Sequence, residues 1–104
     1  MNAIDEDVAI KRIANYCARS EHCRADAYEK LRQWGVEAKA IERILTKLEA
    51  DGYIDDERFC RSFVNDKFRL AKWGRLKIAQ ALSFKRIPSE ITQRHLNEID
   101  EEEY

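Results

Sequence analysis

The segment GYIDDERF, residues 52–59, sets three carboxylates, Asp55, Asp56 and Glu57, beside an arginine and two aromatics near the middle of a 104-residue chain. Clustered carboxylates can hold a divalent ion or divide acid and base roles between them. Consecutive helical residues point about 100° apart, so three in a row cannot easily converge on one ion. No second acidic or histidine cluster is available to complete a site. The other grouping with metal-binding chemistry is Cys17, His22 and Cys23, whose spacing matches no zinc pattern and lacks a fourth ligand. These residues therefore predict no catalysis, no metal and no cofactor, and the acidic segment reads as a joint between helices.

Charge supplies a different kind of chemistry. The formal net charge is −1, but it is segregated. Residues 1–57 hold 9 Lys/Arg and 13 Asp/Glu, residues 58–86 hold 9 Lys/Arg and one acid, Asp66, and residues 87–104 hold one Arg and 6 acids. A near-neutral chain with so basic a middle is suited to a polyanion or an acidic groove, where otherwise such a block is a solvated helix face.

The elements that must carry these charges are helical. Hydrophobic residues make up 44% and charged residues 38%, with only 3 Gly and 1 Pro, which argues against a turn-rich sheet protein and against disorder. No apolar run approaches a membrane span, and the acidic start MNAIDEDV is no signal peptide. Three cysteines without CxxC spacing fit a reducing cytosol. Apolar periodicity predicts helices over residues 6–18 (Val8, Ala9, Ile13, Tyr16, Cys17), 24–34 (Ala27, Tyr28, Leu31, Trp34) and 38–50 (Ile41, Ile44, Leu45, Leu48). A fourth runs from Asp56 to Lys72, burying Phe59, Cys60, Phe63, Val64, Phe68 and Ala71. A fifth covers 75–85 with Leu76, Ile78, Ala79 and Leu82 inward. A sixth opens at Ile87-Pro88-Ser89 with Ile91, His95, Leu96 and Ile99 inward. The acidic end EIDEEEY is expected to fray.

Sliding the chain by 51 residues pairs inward positions with inward positions: Ala9 with Cys60, Ile13 with Val64, Cys17 with Phe68, Leu31 with Leu82, Val36 with Ile87, Leu45 with Leu96 and Leu48 with Ile99; it also pairs Arg24 with Arg75. One register across three helices predicts an all-α, elongated tandem array of two three-helix repeats, residues 1–54 and 55–104. GYIDDERF falls at their boundary. Gly52 suits the left-handed residue after a helix, Tyr53 and Ile54 fold back on the apolar stripe, Asp55 caps the next helix, and Asp56 and Glu57 meet its positive dipole end.

The same segment is similar to the Gly-Tyr-(Leu/Ile)-Asp-Asp-x-x-(Phe/Tyr) segment of the RecX family of recombinase regulators. SEHCRADAYEKLRQWGV resembles that family's first-repeat segment, and AKWGRLKIAQALSFKRIPSE resembles its Gly-x-x-(Arg/Lys)-Ile-x-x-x-Leu-x-x-(Lys/Arg)-x-Ile segment. Together they cover roughly residues 8–100. The resemblance implies an array of three-helix repeats that binds the RecA recombinase filament along its groove on DNA. It implies modulation, mostly inhibition, of the filament's ATPase, strand-exchange and coprotease activities, with no cofactor and no catalysis. Family members commonly carry a third repeat, so the chain is expected to be a truncated or short member lacking it, monomeric and cytoplasmic.

On the fourth helix Arg58, Arg61, Asn65, Arg69 and Lys72 step by three and four and so share one face, opposite the phenylalanines. Arg75, Lys77, Lys85 and Arg86 follow around the fifth. These cations are the expected partner- or DNA-binding residues. Cys17 and Cys60 read as core thiols, His95, in register with Ile44, as a packing histidine, and Trp73 as a packing anchor that could also stack on a base. Two alternatives use the same residues: a small helical protein that acts directly on DNA through a recognition helix, and a structural adaptor. The acidic first repeat and tail argue against the former.

Overall fold

A computed structural model describes residues 5–102. Among them the chain forms six α-helices and no strand: α1 (Glu6–Arg19), α2 (Arg24–Gln33), α3 (Ala38–Ala50), α4 (Asp56–Asn65), α5 (Arg75–Phe84) and α6 (Ser89–Glu102), with a π-helical segment, Asp66–Leu70, directly after α4. They fall into two compact units, residues 1–55 and 56–104. No described helix is long and apolar enough to cross a membrane.

In the first unit, Asp5 Oδ1 accepts from the Asp7 N–H at 3.4 Å and opens α1. Ala9, Ile13 and Cys17, four residues apart, form its buried row. Val8 lies one position off that row, about 100° round the helix, and is exposed, contrary to the periodicity reading. Ala27 and Leu31 of α2 and Ala40, Ile41, Ile44, Leu45 and Leu48 of α3 close the core, with Val36 and Ile54 sealing its ends. Both α2 and α3 stop on a glycine. At Gly35 (φ 81°) the glycine N–H donates to the Arg32 carbonyl and the Val36 N–H to the Leu31 carbonyl. At Gly52 (φ 80°) the Gly52 N–H reaches Glu49 and the Tyr53 N–H reaches Leu48. These bonds satisfy carbonyls that a helix end otherwise leaves orphaned. Ile54 folds onto the core as expected, whereas Tyr53 stays largely outside.

The second unit buries Phe59, Cys60 and Val64 of α4, Ile78 and Leu82 of α5, Ile87, and Thr92, His95, Leu96 and Ile99 of α6. Of the apolar pairs matched by the 51-residue shift, all are buried on both sides except Cys17 with Phe68, where Phe68, in the π segment, is only half-buried. Three expectations change here. The fourth helix does not run in α form to Lys72. Its last turn widens into the π segment, which advances fewer degrees per residue, so the apolar row slips out of phase. Phe63 and Phe68 are half-buried and Ala71 is exposed. Leu76 is exposed because the row Ile78–Leu82 faces the core and Leu76 lies on the other side of α5. The acidic end stays helical to Glu102; the last two residues of EIDEEEY, like Met1–Ile4, lie outside the described residues.

Candidate functional site: the cationic surface of the second unit

The acidic segment resolves first. Asp55 immediately precedes α4, and Asp56 and Glu57 occupy its first turn, where the helix dipole favours negative charge. Glu57 is occupied: one carboxylate oxygen accepts from Arg94 Nη1, and the other lies 3.3 Å from His95 Nε2. The opposite ring nitrogen, Nδ1, lies 3.2 Å from Glu98. His95 is thus buried, as its register with Ile44 suggested, but it sits between two half-exposed carboxylates rather than only packing. This arrangement ties α6 to the start of α4. It leaves Glu57 engaged in holding the unit together.

The cations follow along the same unit. Arg58 and Arg61 are exposed on α4. Arg61 borders a recess of about 200 Å³ with Val64, Asn65, His95, Glu98 and Ile99. The π segment then breaks the stripe read from the sequence. Arg69 lies within it, and Lys72 has left the helix altogether, at φ 60°. Arg58, Arg61, Arg69 and Lys72 are all exposed, but the last two do not continue the α4 face.

The turn that follows brings cations and rings together. The Trp73 N–H donates to the Lys67 carbonyl at 2.8 Å, which folds the chain back over the π segment. Lys67 Nζ lies 4.8 Å from the centre of the Trp73 ring and 5.4 Å from that of Phe63, and Lys77 Nζ lies 4.3 Å from Trp73. Ammonium groups at such distances are attracted by the ring faces. Phe68, Arg69, Lys72 and Trp73 line an open cleft of about 410 Å³. Lys67 was not among the residues singled out from the sequence. Its four-residue spacing from Phe63 was a readable signal; its approach to Trp73, six residues on, depends on the π turn.

Around α5, Arg75 and Lys77 are exposed, Lys85 is half-buried and Arg86 is exposed. Arg86 ends α5 with φ 60°, donating its N–H to the Ser83 carbonyl while Ile87 donates to Leu82. It occupies the position that Gly35 holds in the first unit, one a non-glycine residue adopts at a cost.

In the first unit several cations are held in ion pairs. Arg24 bridges Glu42 (2.9 Å) and Glu49 (3.2 Å), Arg32 holds Glu29 and Arg43 holds Glu6, both at 2.8 Å. The Arg43 hydrogen bond keeps the Glu6 carboxyl below its ordinary range. His22 stacks on Tyr16 and contacts Ser20 and Asp26, and Cys23 is buried, so the Cys17–His22–Cys23 grouping is part of the packing. Among the described residues no cluster of His, Cys, Asp or Glu is arranged to hold a metal.

Comparison with known proteins places the chain in a family. Residues 55–96 match the profile of the second three-helix domain of RecX. The chain is 30% identical over 100 residues to the regulatory protein RecX of Prosthecochloris aestuarii, covering 96% of this chain and 66% of that protein. It is 37% identical over 81 residues to the regulatory protein RecX of Pseudomonas fluorescens, covering 77% of this chain and 52% of that one. In fold it resembles the crystal structure of RecX from Lactobacillus salivarius, with a TM-score of 0.81, 24% identity, and coverage of 88% of this chain and 59% of that one. The chain thus spans about half to two thirds of the length of these relatives. By sequence over nearly its whole length, and by the domain profile over its second unit, the chain belongs to the RecX family.

Proposed function

We propose that the chain binds a RecA-type recombinase filament through the cationic surface of its second unit, and that it modulates, mainly inhibits, the filament's ATPase, strand-exchange and coprotease activities. It acts as a monomeric binding module in the cytoplasm, without catalysis or cofactor. The observation that carries this reading is the concentration of exposed cations between Arg58 and Arg86, with Asp66 as their one acid, on a folded helical unit. A rigid positive surface fits a negatively charged groove and speeds encounter with it. DNA is contacted, on this reading, only within the filament.

The test is a titration against recombinase filaments on single-stranded DNA at two salt concentrations. Arg61→Glu, Arg69→Glu and Lys72→Glu together should weaken association by much more than about tenfold, since each attraction becomes a repulsion. The triple variant should keep its fold, checked by circular dichroism, because all three residues are exposed. Lys11→Glu with Lys39→Glu, on the first unit, is the matched control and should change little. Arg43 is unsuited to that role, since its reversal would also repel Glu6. A triple variant that binds like the parent would show that the cations are a solvated face.

A second reading, direct action on DNA, draws on the cleft of Phe68, Arg69, Lys72 and Trp73, where rings and cations adjoin as in single-strand binders. Bare DNA bound as tightly as the filament, with steep salt dependence, would establish it in place of the first.

A further inference from the structure

Residues 66–72 follow α4 with a sequence that fits one helical register and a backbone that takes another. In α form, Arg58, Arg61, Asn65, Arg69 and Lys72 would share one face, and Phe68 would take the place that buried Cys17 has in α1. The first unit shows that the length allows this. Asp66–Leu70 matches residues 15–19, all within α1, and the same 51-residue shift carries Arg24, which opens α2, onto Arg75, which opens α5. The two units therefore cross from one helix to the next in equal numbers of residues, one in α form and one through a π turn. No inserted residue forces the π turn.

Local contacts hold it instead. The Ala71 N–H donates to the Asp66 carbonyl at 3.1 Å, five residues back, and the Trp73 N–H donates to the Lys67 carbonyl at 2.8 Å. The Trp73 ring meets Phe63 edge-on, with centroids 6.3 Å apart, and has the Lys67 and Lys77 ammoniums over it. Against these stand Lys72 at φ 60°, where a side chain is resisted, Phe68 only half-buried, and Ala71 exposed. The Lys67 carbonyl is the pivot. It accepts from Trp73 here, and in an α-helix it would accept from Ala71. π turns at the end of or within helices are frequent at functional sites.

We propose that residues 66–72 are a register switch between a π form clasped by Trp73 and an α form in which Arg69 and Lys72 rejoin the face of Arg58 and Arg61. A negatively charged groove that contacts the whole row binds the α form better and so draws the chain into it. This coupling rests on the proposed function; the existence of the two registers does not.

The test is NMR of the isotope-labelled full chain carrying Lys72→Gly or Lys72→Ile. Both remove the same charge, but glycine tolerates positive φ and a β-branched residue resists it. Lys72→Gly should keep the contact between the Asp66 α-proton and the Ala71 amide that marks the π form. Lys72→Ile should lose that contact, gain the contact between Lys67 and the Ala71 amide that marks an α-helix, and shield Phe68 from solvent. Trp73→Ala, which removes the clasp, should do the same. Unchanged signals from buried Ile78 and Leu82 confirm that each variant is folded. In a filament titration Lys72→Ile should bind at least about threefold more tightly than Lys72→Gly, following the ratio of their α-form populations. Three results would overturn the proposal: a π contact that survives in both Lys72→Ile and Trp73→Ala, its loss without the α contact appearing, or equal filament affinity for two Lys72 variants that differ in register. Variants that change register as expected while neither binds the filament keep the switch and lose the proposed function; a chain that binds the filament with its π contact fixed in every variant does the opposite.

Discussion

Two residues in the left-handed region show how little of a backbone requirement is a matter of contacts. Gly52 has φ 80°, and a Cβ placed there would meet nothing within 4 Å. Any penalty for a side chain at this position is therefore conformational. Gly52→Val should lower stability by about 1–2 kcal/mol, because a β-branched residue resists positive φ. Arg86 has φ 60° at the end of α5, where the first unit has Gly35 at the end of α2. Arg86→Gly should raise stability by about 0.5–1 kcal/mol by removing that resistance. It should also weaken filament association, since it deletes a cation from the proposed surface. Denaturant midpoints and a filament titration on the same two variants would check both, and the opposed signs for Arg86→Gly distinguish a binding residue from a structural one. Gly35 and Arg86 mark a position where fold and proposed function make different demands: the first unit uses the residue the turn prefers, and the second a charged one.

At the scale of the element, His95 shows what helical periodicity can and cannot deliver. Its register with Ile44 places it in the core, and it is buried. Its two carboxylate partners, Glu57 and Glu98, could not be read from spacing, because Glu57 belongs to another helix. Replacing His95 by Ile should leave stability within about 1 kcal/mol of the parent, since the matching position of the first unit packs an isoleucine. Glu57 would keep Arg94, and both carboxylates reach solvent. His95→Ala should instead cost about 2–4 kcal/mol through the cavity it leaves. Thermal melts of the two variants give the comparison, and equal losses would mean that the imidazole's polar contacts matter more than its volume. The same distinction runs through the candidate site. Helix ends at Gly35 and Gly52 were legible because glycine is what such ends need, and buried rows were legible where the α period held. The π segment after α4 was not, because nothing in Asp66–Leu70 departs in composition from an ordinary amphipathic helix. That one irregularity displaced Phe68, Ala71, Arg69 and Lys72 from their expected faces and brought Lys67 to Trp73. Leu76 was placed inward for a related reason: apolar residues occur on more than one side of α5, so its sequence does not say which side is the core.

For the molecule as a whole, two separately packed cores raise the question of whether they open together, and buried thiols provide the means to ask. Cys17 lies in the core of the first unit and Cys60 in that of the second. Burial pushes both thiols up to about 11, with Asp26 adding to the effect at Cys17 and Glu57 at Cys60. A thiolate is the reactive form, so at pH 8 both should be nearly inert toward alkylating reagents while the chain is folded. Labelling should then proceed only through opening, at a rate that reports each unit's stability by itself. Mass spectrometry of Cys17 and Cys60 after pulses in rising urea would give two curves: coincident curves mean one cooperative molecule, separated curves mean two. The same thiols predict the direction of the pH dependence. In the unfolded chain they ionise near the ordinary value of 9.0, so between there and about 11 the unfolded state holds fewer protons than the folded one. Stability should be at its full value below pH 9 and fall as pH rises through that interval. The informative quantity is the slope of the denaturant midpoint against pH, compared between the parent and Cys17→Ala with Cys60→Ala. Alanine already fills the position matching Cys60 in the first unit, at Ala9, where it is fully buried. The double variant should show the shallower slope between pH 9 and 11. An unchanged slope would mean that the thiols are as free to ionise in the folded chain as in the unfolded one, and that fast labelling at pH 8 should be seen without urea.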